Sequence, residues 1–190
     1  SAVFGLAFSD FNADGNMDLA LAQNFYSPQP ETGNIDGGLG LILRGEGDGS
    51  FQPLRVDQSG FLLPGDAKAL ALTDVNADSR PDLVATVNSS VPKTFLNQAA
   101  EGRSLVVRLS GPKGNPRGVG SLVSVKLKSG KTLIGEVCVG SSYLTSASTD
   151  LFFAVPAGDE ALALAVRSPT GKVLEKELTA SNGLVSVALP

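Results

Sequence analysis

The sequence predicts an all-β protein in two parts: stacked propeller-blade-like units over 1–98 and a second β domain over 99–190. Three observations predict it. Short runs with strand-like alternation recur along the chain, and its 22 glycines and 11 prolines supply turns between them. No long segment repeats apolar residues at helical spacing. A nine-residue acidic loop occurs twice, and each copy runs straight into an apolar stretch. Asp10-Phe-Asn12-Ala-Asp14-Gly15-Asn16-Met-Asp18 returns 64 positions later as Asp74-Val-Asn76-Ala-Asp78-Ser79-Arg80-Pro-Asp82. A repeat longer than one hairpin points to stacked β-units such as propeller blades.

The elements follow in order. Each loop is expected to join two strands, because Leu19-Ala-Leu-Ala and Leu83-Val-Ala are short and apolar and suit buried strands. Between the loops, Arg44-Gly-Glu-Gly-Asp48-Gly49-Ser50-Phe51 reads as a glycine-rich turn ahead of another strand. The small polar stretch 97–102 is the expected joint between the two parts. Beyond it, the runs at 105–109, 122–127, 132–137, 162–166 and 184–189 are strands. Lys128-Ser-Gly130-Lys and Pro169-Thr-Gly171-Lys are hairpin turns, and 112–116 is a loop. The stretch 157–165 has some helical character, but Pro156-Ala-Gly158 and the alternation after it favour a strand. Cys138, within Ile134-Gly-Glu-Val-Cys-Val, is expected as a buried strand residue, and a lone cysteine forms no intrachain disulfide.

The loops carry the chemistry. Oxygen-bearing side chains at positions 1, 3, 5 and 9 are what a hard cation of calcium's size requires. Three carboxylates held close together repel one another unless a cation lies between them. Two Ca²⁺ sites are therefore expected. The first has the side chains of Asp10, Asn12, Asp14 and Asp18 and the backbone carbonyl of Asn16. The second has Asp74, Asn76, Asp78 and Asp82 and the carbonyl of Arg80. Gly15 suits the sharp bend at position 6; Ser79 holds that place in the second loop, which implies some strain. Neither loop is an EF-hand. The twelfth residue, where that motif has a chelating glutamate, is Leu21 in one and Ala85 in the other. A pair of acidic turns is the plainer reading, since Asp, Asn and Gly form turns anyway, but two copies at one spacing argue for the metal.

The repeated loops, together with Gly47-Asp48-Gly49-Ser50-Phe51, resemble the FG-GAP or VCBS repeats of integrin-α-like β-propellers, over roughly 1–97. That resemblance implies about two four-stranded blades, with calcium clasped between strands. Further on, Asn115-Pro-Arg117-Gly118-Val-Gly120, Gly140-Ser-Ser-Tyr143-Leu144, Leu151-Phe152-Phe153 and Val166-Arg-Ser-Pro169-Thr-Gly171 resemble the ASPIC/UnbV domain, taken here as β-sandwich or barrel-like. Phe152-Phe153-Ala154 stands where that family commonly has a histidine and a Phe-Gly-Leu-Gly run, and Ser168 where it commonly has a tryptophan. Any ligand role resting on those two residues does not carry over.

Charge and composition bound the function. The net charge of −4 is modest, and six of the nineteen acidic side chains lie in the two loops. Two divalent cations would bring the sum to about zero. No basic patch points to nucleic acid, and no membrane-spanning run is visible. The absence of histidine removes Ser-His, Cys-His and His-metal mechanisms, and the only clustered carboxylates are those assigned to calcium. The expectation is a non-catalytic, calcium-binding extracellular, cell-surface or periplasmic module for adhesion, with a protein or glycan ligand. A carbohydrate-binding or accessory region of a larger enzyme and a purely structural spacer are the alternatives. Tyr143 and Arg117 are the second domain's candidates for ligand contact, each also explicable as a core-edge tyrosine and a solvated turn. Two blades do not close a ring, and the chain starts at Ser1 with one methionine, Met17. It is therefore expected to be a segment of a longer protein whose open sheet edges favour self-association.

Overall fold

A computed structural model describes residues 1–98, 102–140, 142–179 and 182–190. The expected joint at 97–102 includes 99–101, which lie outside the described residues, as does Ser141 of the 140–144 motif. The fold is all-β with four sheets. The single helix among the described residues is one turn, α1 (Val56–Ser59).

The first sheet is a four-stranded antiparallel meander in the order β1-β2-β3-β4, built from β1 (Val3–Ser9), β2 (Asp18–Gln23), β3 (Leu41–Gly45) and β4 (Phe51–Leu54). The second has three strands, β5 (Ala67–Thr73), β6 (Asp82–Val87) and β7 (Lys93–Phe95), also antiparallel and sequential. In both, the acidic loop joins the first two strands. Alternation along β1 and β2 sends Ala7, Ala20 and Ala22 inward against Leu70, Leu83 and Ala85 of the second sheet, with Phe61 and Leu63 filling the gap. The small side chains let the sheets approach closely. A Cβ on Gly5 would lie 2.9 Å from Leu70 N and 3.0 Å from Ala22 Cβ. The opposite parity of β1 leaves Leu6 and Phe8 exposed.

Residues beyond 102 form two further sheets. One is antiparallel in the order β10-β9-β12-β13, from β9 (Leu122–Leu127), β10 (Thr132–Glu136), β12 (Ala161–Arg167) and β13 (Val173–Glu177). The other has the order β11-β8-β14, from β8 (Arg103–Ser110), β11 (Leu151–Val155) and β14 (Gly183–Ala188); β14 runs parallel to β8. Leu105, Val107 and Leu109 of β8 face Val123, Val125 and Leu127 of β9 and Leu164 and Val166 of β12 in one apolar core. This is a two-sheet sandwich with no closed barrel among the described residues. The hairpin turns expected at 128–131 and 169–172 join β9 to β10 and β12 to β13, with Gly130 and Gly171 at positive φ (92° and 85°). The run 157–165 resolves as a turn followed by β12.

Cys138 corrects an expectation: it is exposed, not buried. β10 ends at Glu136, Val137 points into the core with 0% exposure, and the next residue must point out. No helix among the described residues is long and apolar enough to cross a membrane.

Candidate metal centre

The two acidic loops fold alike, bond for bond. In the first, Asp10 accepts from the backbone N–H of Asp14 (3.2 Å) and Gly15 (2.7 Å), Asn12 Oδ1 accepts from Asp14 N (3.2 Å), and Asp14 Oδ1 accepts from Asn16 N (2.8 Å). In the second, Asp74 accepts from Asp78 N (3.1 Å) and Ser79 N (2.9 Å), Asn76 Oδ1 from Asp78 N (3.2 Å), and Asp78 Oδ1 from Arg80 N (2.9 Å). In each, the asparagine amide also donates to the position-5 carboxylate at 2.9 Å. Two residues per loop take left-handed backbone. Gly15 (φ 93°) and Ser79 (φ 69°) do so at position 6, where the sequence places the bend; Ala13 (φ 59°) and Ala77 (φ 61°) do so at position 4, where alanine gives no hint of it.

The ninth residue anchors each loop. Asp18 is 2% exposed and accepts from Phe11 N and from Gly45 N of β3, both at 2.9 Å. Asp82 is 0% exposed and accepts from Val75 N (2.9 Å) and Asn97 N (2.7 Å). Each aspartate closes its loop and staples it to a neighbouring segment. The Asn97 amide then donates to Phe11 O at 2.9 Å, so one residue ties the second loop's anchor to the first loop. Sequence reasoning missed Asn97, because nothing in its flanks distinguishes it from a linker residue.

The residues of the first loop share one electrostatic field. Burial pushes the Asp10 carboxyl up to about 6, and the charges of Asp14 and Asp18 push the same way. Burial also raises Asp18, with Asp14 adding to it. Arg44, held foremost by Glu46, is raised further by Asp14 and Asp18. Arg108, paired with Asp150 at 2.7 Å, feels Asp74 of the second loop.

In the first loop the carboxylates lie close enough to repel, yet among the described residues no three His, Cys, Asp or Glu side chains gather around one point. They face the loop's own N–H groups instead. The donor set still fits a hard cation. Each carboxylate has about four acceptor positions, of which the Asp10 N–H bonds take two. Neutral asparagine and carbonyl oxygens make up the remainder of such a set.

The second domain covers the first loop. Lys131 Nζ donates to Gly15 O, and a Cβ on Gly15 would meet Lys131 Nζ at 3.1 Å and Pro156 Cγ at 3.2 Å. Gly102 abuts Ala13 closely. At the other end of β1, the Tyr143 ring lies 5.4 Å from the Phe4 ring, and Lys68 Nζ sits 3.7 Å over the Phe4 ring. Tyr143 is thus half exposed with one side packed. Arg117 is exposed on a turn shaped by Asn115, whose side chain bonds both polar backbone atoms of Val119.

Two family models match the chain. Residues 10–85 match the model described as an FG-GAP-like repeat, and residues 111–189 match the model described as ASPIC and UnbV. No curated protein matches.

Proposed function

We propose, for a chain that carries an FG-GAP-like repeat region followed by an ASPIC/UnbV region, that it is a calcium-stabilised, non-catalytic module of a larger extracellular or periplasmic protein, acting in adhesion or ligand binding. The units divide at 98/99. Asp10, Asn12, Asp14 and Asp18 with the Asn16 carbonyl hold one Ca²⁺, and Asp74, Asn76, Asp78 and Asp82 with the Arg80 carbonyl hold the other. The ligand is a protein or glycan surface.

One observation carries this reading: two separate loops reach the same hydrogen-bond pattern, and in the first the carboxylates destabilise one another's charge. A divalent cation relieves that repulsion and cross-links the ends of two strands. At free Ca²⁺ a hundredfold above its dissociation constant, each site adds about 2.7 kcal/mol, a large share of the ~5–15 kcal/mol by which domains are stable. Calorimetric titration of chelator-stripped protein with Ca²⁺ tests it. Two binding events are expected, one abolished by Asp14→Ala and the other by Asp78→Ala. Both aspartates are exposed, so the variants remove ligands without opening the core. Absence of heat, with no rise in melting temperature, would reduce the loops to turns.

A further inference from the structure

Between the first sheet and the sandwich lies a cleft of about 430 Å³. That is within the usual range for binding sites, which favour joints between structural units. Its walls are largely apolar, with Phe8, Met17 and Leu72 on one side and Ile134, Leu151 and Phe152 on the other. Five consecutive residues of β10, 132 to 136, line it, as do four of β11, 151 to 154. A strand seen face-on would contribute alternate residues only. The cleft therefore meets both strands along their backbone edges, and both are the outermost strands of their sheets.

The ladder of β10 fixes which groups point into the open. Leu127 N donates to Lys131 O, and Val137 N to Ser121 O, each at 2.9 Å. With Leu133 opposite Val125 and Gly135 opposite Val123, the odd-numbered residues hold the bonds to β9. In an antiparallel pair the alternate residues turn their peptide groups away. Thr132, Ile134 and Glu136 thus present N–H and C=O outward in a row. Among the described residues no hydrogen bond to another segment satisfies these groups. Charge is confined to the ends of this edge, at Lys131 and Glu136. Ile134, at its centre, is apolar and 71% exposed, where natural edges favour a lysine, a proline or a bulge.

We propose that this cleft binds an extended peptide segment of alternating apolar residues, which adds as a strand to the free edge of β10. A row of alternating donors and acceptors at strand spacing is complementary to another strand's backbone and to little else. The apolar walls receive alternate side chains. Asp10 and Gly15 of the first acidic loop also line the cleft, but the free edge of β10 belongs to the sandwich and exists whether or not that loop holds a cation.

The test uses the full 190-residue chain and a short blocked peptide of alternating valine and threonine, read by residue-resolved amide exchange. At saturation the Thr132, Ile134 and Glu136 amides slow at least tenfold, while Leu133 and Gly135, already bonded to β9, do not change. Ile134→Pro removes one outward N–H without touching the β9 ladder, and abolishes the protection. The same peptide N-methylated at alternate residues, added to the unaltered protein, fails likewise even if that variant does not fold. Shifts at Phe8 and Phe152 without alternating amide protection would mean a small apolar ligand, and overturn the proposal. So would protection in the free protein that grows with its concentration, which would make the occupant a second copy, or no response at all.

Discussion

Replacing Asp82 by alanine separates its structural role from the ligand role proposed for it. The side chain is fully buried and accepts from Val75 N at 2.9 Å and Asn97 N at 2.7 Å. Alanine leaves both N–H groups without that acceptor, in a partly buried place. Each orphaned donor costs about 1–3 kcal/mol. Relief of repulsion from Asp74 and Asp78 returns about 1 kcal/mol at most. The net expectation is a loss of about 3 kcal/mol in chelator, where no cation contributes. At ~2–4 °C per kcal/mol for a chain of this size, the melting temperature falls by about 9 °C. Asp78→Ala is the internal control: exposed, it gives up a bond to Arg80 N and the Asn76 amide contact, and should cost less than about 1 kcal/mol. Thermal unfolding followed by near-ultraviolet circular dichroism in chelator reads both. If the two variants melt alike there and differ only when Ca²⁺ is added, Asp82 is a ligand alone and the staple is refuted.

Three further outcomes follow from the same loops and sheets. With its folded pKa near 6 against an ordinary 3.8, Asp10 favours the folded state most below pH 3.8, and that contribution disappears as pH rises through 6. In chelator, the wild-type advantage over Asp10→Asn should therefore shrink across that window by about 2 kcal/mol, discounted for partial exposure; a pH-independent difference between urea midpoints would contradict it. Ser79→Gly should raise stability by about 1 kcal/mol by removing a side chain from left-handed backbone. Gly15→Ala should lower it by more than that, because the new methyl also meets Lys131 and Pro156; denaturant unfolding of the pair checks both signs. Gly5→Ala pushes β1 off β5 at Leu70 N and should cost about 2–3 kcal/mol, visible as a lower unfolding midpoint with both loops intact.

What could be read from the residues was local. The loops, the apolar strands after them and both glycine hairpins depend on neighbours a few positions away, and the structure has each where the chain places it. Tertiary geometry was not legible. Cys138 went astray because its run of apolar residues continues past the end of β10, and only the parity of Val137 decides which way it points. Asn24 carries no local signal of its role. It is fully buried, at φ 91°, with its amide bonded to Gly38 on both sides and to Gly65 O. Those partners lie 14 and 41 residues away, so no window of sequence contains them. The cover that Lys131 lays over the first loop spans 116 residues and was equally invisible.

The parallel pairing of β14 with β8 has a consequence for how the chain is made. The two blade-like sheets are sequential meanders, so each strand finds its partner soon after synthesis. β8 is different. Its neighbours are β11 and β14, and the residues at 183–188 must exist before that sheet can close. Until then one edge of a strand as apolar as Leu105-Val-Val lies bare. Long-range pairing of this kind is slow and exposed to misassembly. The order of ribosomal emergence thus lets the two blade-like sheets pair their strands while the sandwich still waits for β14.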